Sequence, residues 1–561
     1  MIRTVGLRRM LPAVAVASSI ALLAAGCSSS DEGSATGGGG DEGRVLNVWA
    51  GSQTPIVANF NPFMPNALLH ATQGPILEPL FYFNKVADAA PTPLLGKSFE
   101  WNADGTELTI KVREGVKWND GEAFTAKDVA FTLNYPIAKP TYVDNAEATD
   151  DTTVKVTFNA PSFTNEASLL SMFIVPEHIW KDVADPATET NAKPVGTGPY
   201  TVESVSDAAY TIVANPNYWQ EGKPAVKKVR YLALNSNQTS SDLLTTGKLD
   251  WAGMFSPDPS KVTASGALSV INTPVDPTVL YTCSNAELGC EGPQTDVAVR
   301  QAINLAIDRT VLNDKAWAGQ AKTISPTFAL LGRDDKWIAP GIEPESPQTA
   351  DATAAAAVLE AAGYAKGADG VYAKDGKAVE MTLSSVDGWT DYNDAAKLIA
   401  EQAAAAGIKI TPMQVTWDEF ADGRSSGNYQ LIMGGLIGTA TADPYSLYHD
   451  WLTTDTTTPV GTPIESGDWN FARYSNPDVD AAILTAAGTL DVDAKMAAYA
   501  TVQENIVRDL PYIPIVVNAT QTFMNTKDYT GWPSEGDLYA FPPSWASGAA
   551  GIVLANLKPA N

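Results

Sequence analysis

Val116-Lys117-Trp118-Asn119-Asp120-Gly121-Glu122-Ala123-Phe124-Thr125-Ala126-Lys127-Asp128-Val129 decides how the rest of this chain is read. Asn119-Asp120-Gly121 is turn chemistry, because Asn and Asp bond their own backbone and Gly tolerates a left-handed conformation. Thr125 followed three residues later by Asp128 is an N-terminal capping pattern, and it predicts a helix over Val129 to Tyr135. Trp118 is expected in the core rather than on a ligand, since its area is chiefly apolar. Outward on either side, Leu108 to Val112 and Val154 to Phe158 alternate apolar and polar residues, which predicts two half-buried strands.

Further along, helix and strand patterns alternate. Val299, Ile303, Ala306 and Ile307 give one apolar helical face. Asp351 to Ala362 is an alanine-rich helix stopped by Gly363. Asp391 to Ala406 is another, stopped by Gly407, and Ile408 to Val415 then reads as a strand. Met496, Tyr499, Val502, Ile506 and Leu510 stripe one more helix. Such alternation predicts α/β units. Thr453 to Pro463, rich in Thr and Pro, reads as an exposed loop. No repeat of 20–50 residues occurs.

The first 26 residues read as an address. Arg3, Arg8 and Arg9 precede an uncharged apolar stretch from Leu11 to Ala25, too short for a convincing membrane span and suited to a signal peptide. The segment ends Leu23-Ala24-Ala25-Gly26-Cys27, which looks like a lipobox with Leu one place further out than usual. Cys27 is therefore the expected lipidation site. Residues 27–43, with serines, acids and four consecutive glycines, read as a flexible tether. Cleavage after Gly26 would take the net charge from −27 to −30. So acidic a chain is a poor fit to nucleic acid or to wide adhesion on anionic lipid. The two remaining cysteines, Cys283 and Cys290, can close a small loop as a disulfide in an oxidising compartment.

The chemistry of an enzyme is missing. His70, His178 and His449 are far apart, and no metal-ligand spacing, P-loop or nucleophile elbow is present. Gly196-Thr197-Gly198 is followed by Pro199 and reads as a turn. With 64 acidic residues, chance carboxylate pairs carry little information about a glycosidase. The expectation is a binding protein with no cofactor and no metal. An exported hydrolase, and a lipoprotein with no importer, are the other readings.

The opening stretch resembles the signature of family 5 extracellular solute-binding proteins, the dipeptide, oligopeptide, nickel and oligosaccharide receptors of ABC importers. Glu78-Pro79-Leu80, Ile174 to His178, Pro194 to Tyr200, Asn215 to Trp219, Val299 to Ala302 with Ile307-Asp308-Arg309, Glu360 to Tyr364 and Pro511 to Pro514 follow in the family's order. The resemblance implies an α/β, two-lobed periplasmic-binding-protein-like fold with a hinge. It places lobe I at 44–82, 195–284 and 523–561, an inserted subdomain at 83–194 and lobe II at 285–522. The chain would cross between lobes near Tyr281 and Phe523. It implies a monomer, tethered by lipid to the extracellular face of the cell membrane, that hands a small ligand to ABC permease subunits.

The ligand reading turns on one loop. Peptide-binding members are similar in placing an aspartate about four residues before a proline, where it meets the peptide's ammonium. In Gly434 to Tyr445 that place is Ala440, and the acid present is Asp443, directly before Pro444. Aromatics gather nearby: Trp389, Trp417, Tyr445, Tyr448, Trp451 and Trp469. Flat rings suit sugars, so an oligosaccharide is favoured over an oligopeptide. Scattered histidines disfavour nickel. The expected ligand-binding residues are Asn61, Phe63, Trp389, Gly438, Thr439, Asp443, Tyr445, Tyr448 and Trp451, with Trp417 and Trp469 assigned to the core.

Overall fold

The computed structural model describes residues 44–50, 56–64, 67–234, 236–437, 439–464 and 468–560. The leader, Cys27, the tether at 27–43 and Gly438 lie outside the described residues. No helix among the described residues is long and apolar enough to cross a membrane.

Two sheets organise the chain. The first has seven strands, in the order Leu268–Asn272, Gln521–Asn525, Trp251–Gly253, Leu46–Trp49, Lys228–Leu232, Ala209–Ala214 and Tyr200–Ser206. The second has five, in the order Lys409–Val415, Glu380–Val386, Leu431–Gly435, Pro277–Thr282 and Tyr512–Val517. Helix Thr390–Ala405 joins the parallel pair Glu380–Val386 and Lys409–Val415, the βαβ unit that the helix-then-strand pattern predicts.

The chain passes between the sheets twice, at 273–276 and at 518–520. Both crossings differ from the positions read off the sequence. Tyr281 lies inside Pro277–Thr282, which pairs on both sides within the five-stranded sheet, and Phe523 lies inside the seven-stranded one. Continuous apolar runs hid the switch, because a strand buried on both faces carries no mark of which sheet it joins. The crossings bond to each other: Thr273 N donates to Thr520 O at 2.8 Å and Asn518 N to Asp276 O at 3.0 Å.

A third, antiparallel sheet holds Gly96–Trp101, Glu107–Val112, Thr153–Phe158 and Val143–Asp150 in that order. Helix Ala126–Asn134 packs on it and starts three residues before Val129, because the Thr125–Asp128 capping box fixes its first turn. Trp118 is fully buried. Cys283 and Cys290 are joined by a disulfide with 5.4 Å between Cα atoms. The stretch Thr453 to Pro463 is less exposed than its composition implies. Thr453 and Thr456 are buried, and Thr453 Oγ1 donates to His449 O at 2.8 Å.

Glu78, from the Glu78-Pro79-Leu80 motif, meets the Asn215 to Trp219 motif inside the core. Its carboxyl accepts from Tyr218 Oη at 3.0 Å and from Trp219 Nε1 at 2.9 Å. Burial pushes it up to about 7. Between about pH 4.5 and 7 the unfolded chain loses this proton while the folded chain keeps it, so stability falls as pH rises through that window and is level above it. The cost at pH 8 is on the order of 3 kcal/mol. Glu78→Gln should therefore be less stable than wild type at pH 4.5, where one donor loses its acceptor, and should overtake it by pH 8. Thermal midpoints of both proteins across that range check this; parallel curves would remove Glu78 as the cause.

Candidate ligand-binding cleft

Two cavities share Gly435, at the end of strand Leu431–Gly435, in their lining. The larger, of about 660 Å³, lies between the end of the five-stranded sheet and the segments around 79–85 and 541–549. One wall comes from Phe81, Phe83, Phe173, Phe541 and Trp545; the facing wall from Asp276, Leu436, Ile437 and Ala440. It holds one charge pair, Lys85 Nζ with Asp276 Oδ1 at 2.9 Å and Oδ2 at 3.2 Å. The same ammonium sits 4.5 Å from the Phe541 ring centroid. An apolar surface with a few placed polar groups is the usual form of a small-molecule site.

The second cavity, of about 340 Å³, is lined by Trp389, Asp391, Tyr392, Trp417, Phe420 and Arg424. Two helix starts supply its aromatic wall. Trp389 precedes helix Thr390–Ala405, and Trp417 opens helix Trp417–Ser426, whose Thr416–Glu419 capping box holds it in register. Their ring centroids are 5.9 Å apart. Trp417 is 52 % exposed, which corrects its assignment to the core. Asp391 accepts from Trp317 Nε1 at 3.2 Å, and burial pushes its carboxyl up to about 6. Gly434 lets the backbone lie against Tyr281, since a Cβ there would fall 2.5 Å from that ring.

The expected ligand residues divide sharply. Trp389 lines the second cavity. Ala440, at the peptide-anchor place, lines the first. Asp443 is occupied inside the chain: Lys495 Nζ donates to it at 2.8 Å and Tyr499 Oη at 2.5 Å. Thr439 is buried and held by Arg333, which donates to its hydroxyl at 2.6 Å and to Lys85 O across the cleft at 2.6 Å. Tyr445 is buried, stacked on His449, where turn Phe163–Asn165 meets helix Tyr445–Leu452.

Four positions belong to the core rather than to either cavity. Tyr448 is fully buried, donating to Thr327 O at 3.0 Å, and Trp451 packs among Tyr281, Phe471 and Tyr512. Asn61 is fully buried as a bracket, donating to Pro186 O at 2.7 Å and Glu189 O at 2.6 Å. Phe63 packs on Tyr135 and Trp180. Helix Tyr445–Leu452 turns one face to the core, and Tyr448 and Trp451, three apart, share it. Cavity-lining residues that the sequence reading did not name are Phe81, Phe83, Phe541, Trp545 and Arg424. The run Phe81-Tyr82-Phe83 was the available signal: three consecutive rings cannot all face one side of a strand.

No cluster of three or more His, Cys, Asp or Glu among the described residues could hold a metal ion.

The chain is similar to Protein XP55 of Streptomyces lividans, 31% identical over 427 residues, covering 73% of this chain and 72% of that protein. It is similar to the oligopeptide-binding protein AppA of Bacillus subtilis, 25% identical over 473 residues, 80% of this chain and 83% of that one. Among solved structures, the periplasmic oligopeptide-binding protein of an oligopeptide ABC transporter from Thermotoga maritima, bound to mannohexaose, superposes with a TM-score of 0.81. That match is 25% identical and covers 92% of this chain and 98% of that chain. The solved-structure neighbours are two-lobed periplasmic binding proteins, and this chain has their fold. The model of the bacterial extracellular solute-binding proteins, family 5, matches residues 90–459. Two sheets joined by paired crossings and a family match over most of the chain lead to one conclusion: this protein belongs to the family 5 bacterial extracellular solute-binding proteins.

Proposed function

We propose that this protein is the lipid-anchored extracellular receptor of an ABC importer, and that it captures an oligosaccharide between its lobes. Lobe I would be the body around the seven-stranded sheet, with 83–194 as its inserted subdomain. Lobe II would be the body around the five-stranded sheet, and 273–276 with 518–520 would be the hinge. Closure around a ligand is then a binding equilibrium with differential affinity for the closed state, not chemistry. Cys27 carries the lipid, the tether gives reach, and the closed monomer delivers its cargo to permease subunits.

One observation carries the sugar reading. The loop's aspartate, Asp443, is spent on Lys495 and Tyr499, while exposed and half-buried rings, Trp417 and Trp389, line the cleft. A peptide ammonium brought into such a site needs a carboxylate partner, whereas a sugar ring needs flat apolar faces and a few polar groups. The mannohexaose bound by the Thermotoga maritima neighbour supports the same reading. An oligopeptide is the second reading. Asp276 lines the cavity beside Lys85, and a peptide ammonium that displaced Lys85 would find its anchor there.

Isothermal titration against mannohexaose and against a pool of tri- to pentapeptides separates the two. The expected result is one-site binding of the oligosaccharide with quenched or shifted tryptophan emission, and no heat with peptides. Heat with peptides alone, abolished in Asp276→Asn, would establish the second reading instead. Turnover of either ligand would mean an exported hydrolase.

A further inference from the structure

Among the described residues, Arg424 is a cation without an anion. It lies in the last turn of helix Trp417–Ser426. Its guanidinium stands 4.4 Å from the Phe471 ring centroid and 5.4 Å from that of Phe420. Its Nε is buried with no hydrogen-bond partner. The polar groups beside it are the hydroxyls of Tyr281 and Tyr429, not a carboxylate. The buried arginines differ. Arg300 and Arg309 donate to backbone carbonyls at 2.7 to 2.9 Å, and Arg333 grips Asp334 at 2.7 Å. Nearby Arg473 donates from both terminal nitrogens to the carbonyls of Arg424, Phe471 and Ser425.

Its surroundings indicate what it is for. Arg424 lines the smaller cavity together with Trp389 and Trp417, and Gly435 lines both that cavity and the main cleft. The cavity's own acid, Asp391, is engaged by Trp317 and forms no ion pair with Arg424. Two ring faces and a half-desolvated guanidinium match a flat ring that carries a carboxylate. Such a group would gain a charge-assisted hydrogen bond where water competes poorly.

We propose that the Trp389–Trp417 cavity is a subsite for a carboxylate-bearing terminal unit of the ligand, with Arg424 as its counter-ion, so that the favoured cargo is an acidic, uronate-containing oligosaccharide. This rests on the oligosaccharide reading above. A peptide's terminal carboxylate offers the same chemistry, and the test keeps the two apart.

The full mature protein is titrated with a β-1,4-linked mannuronate tetramer and with neutral mannotetraose, then with a tetrapeptide bearing a free or an amidated C-terminus. The same titrations are run on Arg424→Gln and Arg424→Lys, each checked by thermal midpoint. The expected result is that mannuronate binds at least about tenfold tighter than mannotetraose. Arg424→Gln should erase that preference, and Arg424→Lys should keep part of it. Equal affinity for the two tetrasaccharides, or a preference that survives in Arg424→Gln, overturns the subsite while leaving the sugar reading intact. If neither sugar binds and the free peptide beats its amide in an Arg424-dependent way, the carboxylate subsite stands and the sugar reading falls. No dependence on carboxylate in either pair removes the subsite altogether. Should Arg424→Gln fail to fold, loss of the mannuronate preference between 20 mM and 500 mM NaCl, with mannotetraose unaffected, reads the same ion pair.

Discussion

Replacing Trp389 and Trp417 together by alanine is expected to weaken oligosaccharide binding by at least about a hundredfold. Each indole offers a wide apolar face, and truncating a buried aromatic anchor costs about 2 kcal/mol, roughly thirtyfold in affinity. The two single losses will not simply add, because the rings touch, with centroids 5.9 Å apart. The single variants also separate binding from folding. Trp389 is half-buried and packs on Tyr392 and Phe420, so Trp389→Ala lowers the thermal midpoint as well as the affinity. Trp417 is 52 % exposed, so Trp417→Ala should leave the midpoint within about 2 °C and still cost about tenfold in affinity. Trp417→Phe should restore most of that. Titration calorimetry with mannohexaose measures all four proteins. Unchanged affinity in the double variant would remove this cavity from the ligand site.

Arg309→Leu is expected to be the most destabilising single change considered, by about 4 kcal/mol. The guanidinium is 1 % exposed. Its Nε and Nη2 donate to Pro514 O at 2.9 and 2.6 Å, Nη1 to Pro347 O at 2.7 Å, and Nη2 to Asn304 Oδ1 at 2.5 Å. Pro514 lies within strand Tyr512–Val517, where the pairing with Pro277–Thr282 shifts register between Thr278 and Val279. Arg309 satisfies the carbonyl at that irregularity, just before the chain crosses to the other sheet. Leucine fills part of the volume but leaves buried acceptors bare, and an unmet buried polar group costs about 1–3 kcal/mol each. The thermal midpoint should fall by about 10 °C. Arg309→Lys should recover less than half of the loss, because one ammonium cannot reach acceptors on three segments. A fall of under 2 °C for Arg309→Leu would show that the site relaxes around the missing fork.

Ile307-Asp308-Arg309 was legible beforehand as part of a family pattern, yet nothing in the sequence says why the arginine is there. Its partners, Pro347 and Pro514, lie 38 and 205 residues away. The same distance effect governs the cleft. Local chemistry was readable wherever neighbours in sequence are neighbours in space. The Thr125–Asp128 box does start a helix, Gly363 and Gly407 do end helices, and Trp118 is core. Trp389, expected in the cleft, lines the second cavity because a residue between a strand end and a helix start is placed by those two elements alone.

Tyr448 and Trp451 show the limit. They sit beside the Gly434 to Tyr445 loop, but helix rotation turns them inward, and that rotation is fixed by packing on Tyr281, Tyr499 and Tyr512 from three other segments. Asp443 is the same case in charge: an available anchor on paper, taken in fact by Lys495, 52 residues on. The sequence by itself determined the family, the α/β class, the caps and turns, and the lack of a catalytic motif, because these depend on short-range periodicity and residue type. Only the tertiary structure decided which sheet each buried strand joins, which rings face the cleft and which charges are already matched. Those outcomes depend on partners tens to hundreds of residues away, and a solvent-facing ring and a core ring are the same letter until their neighbours are known.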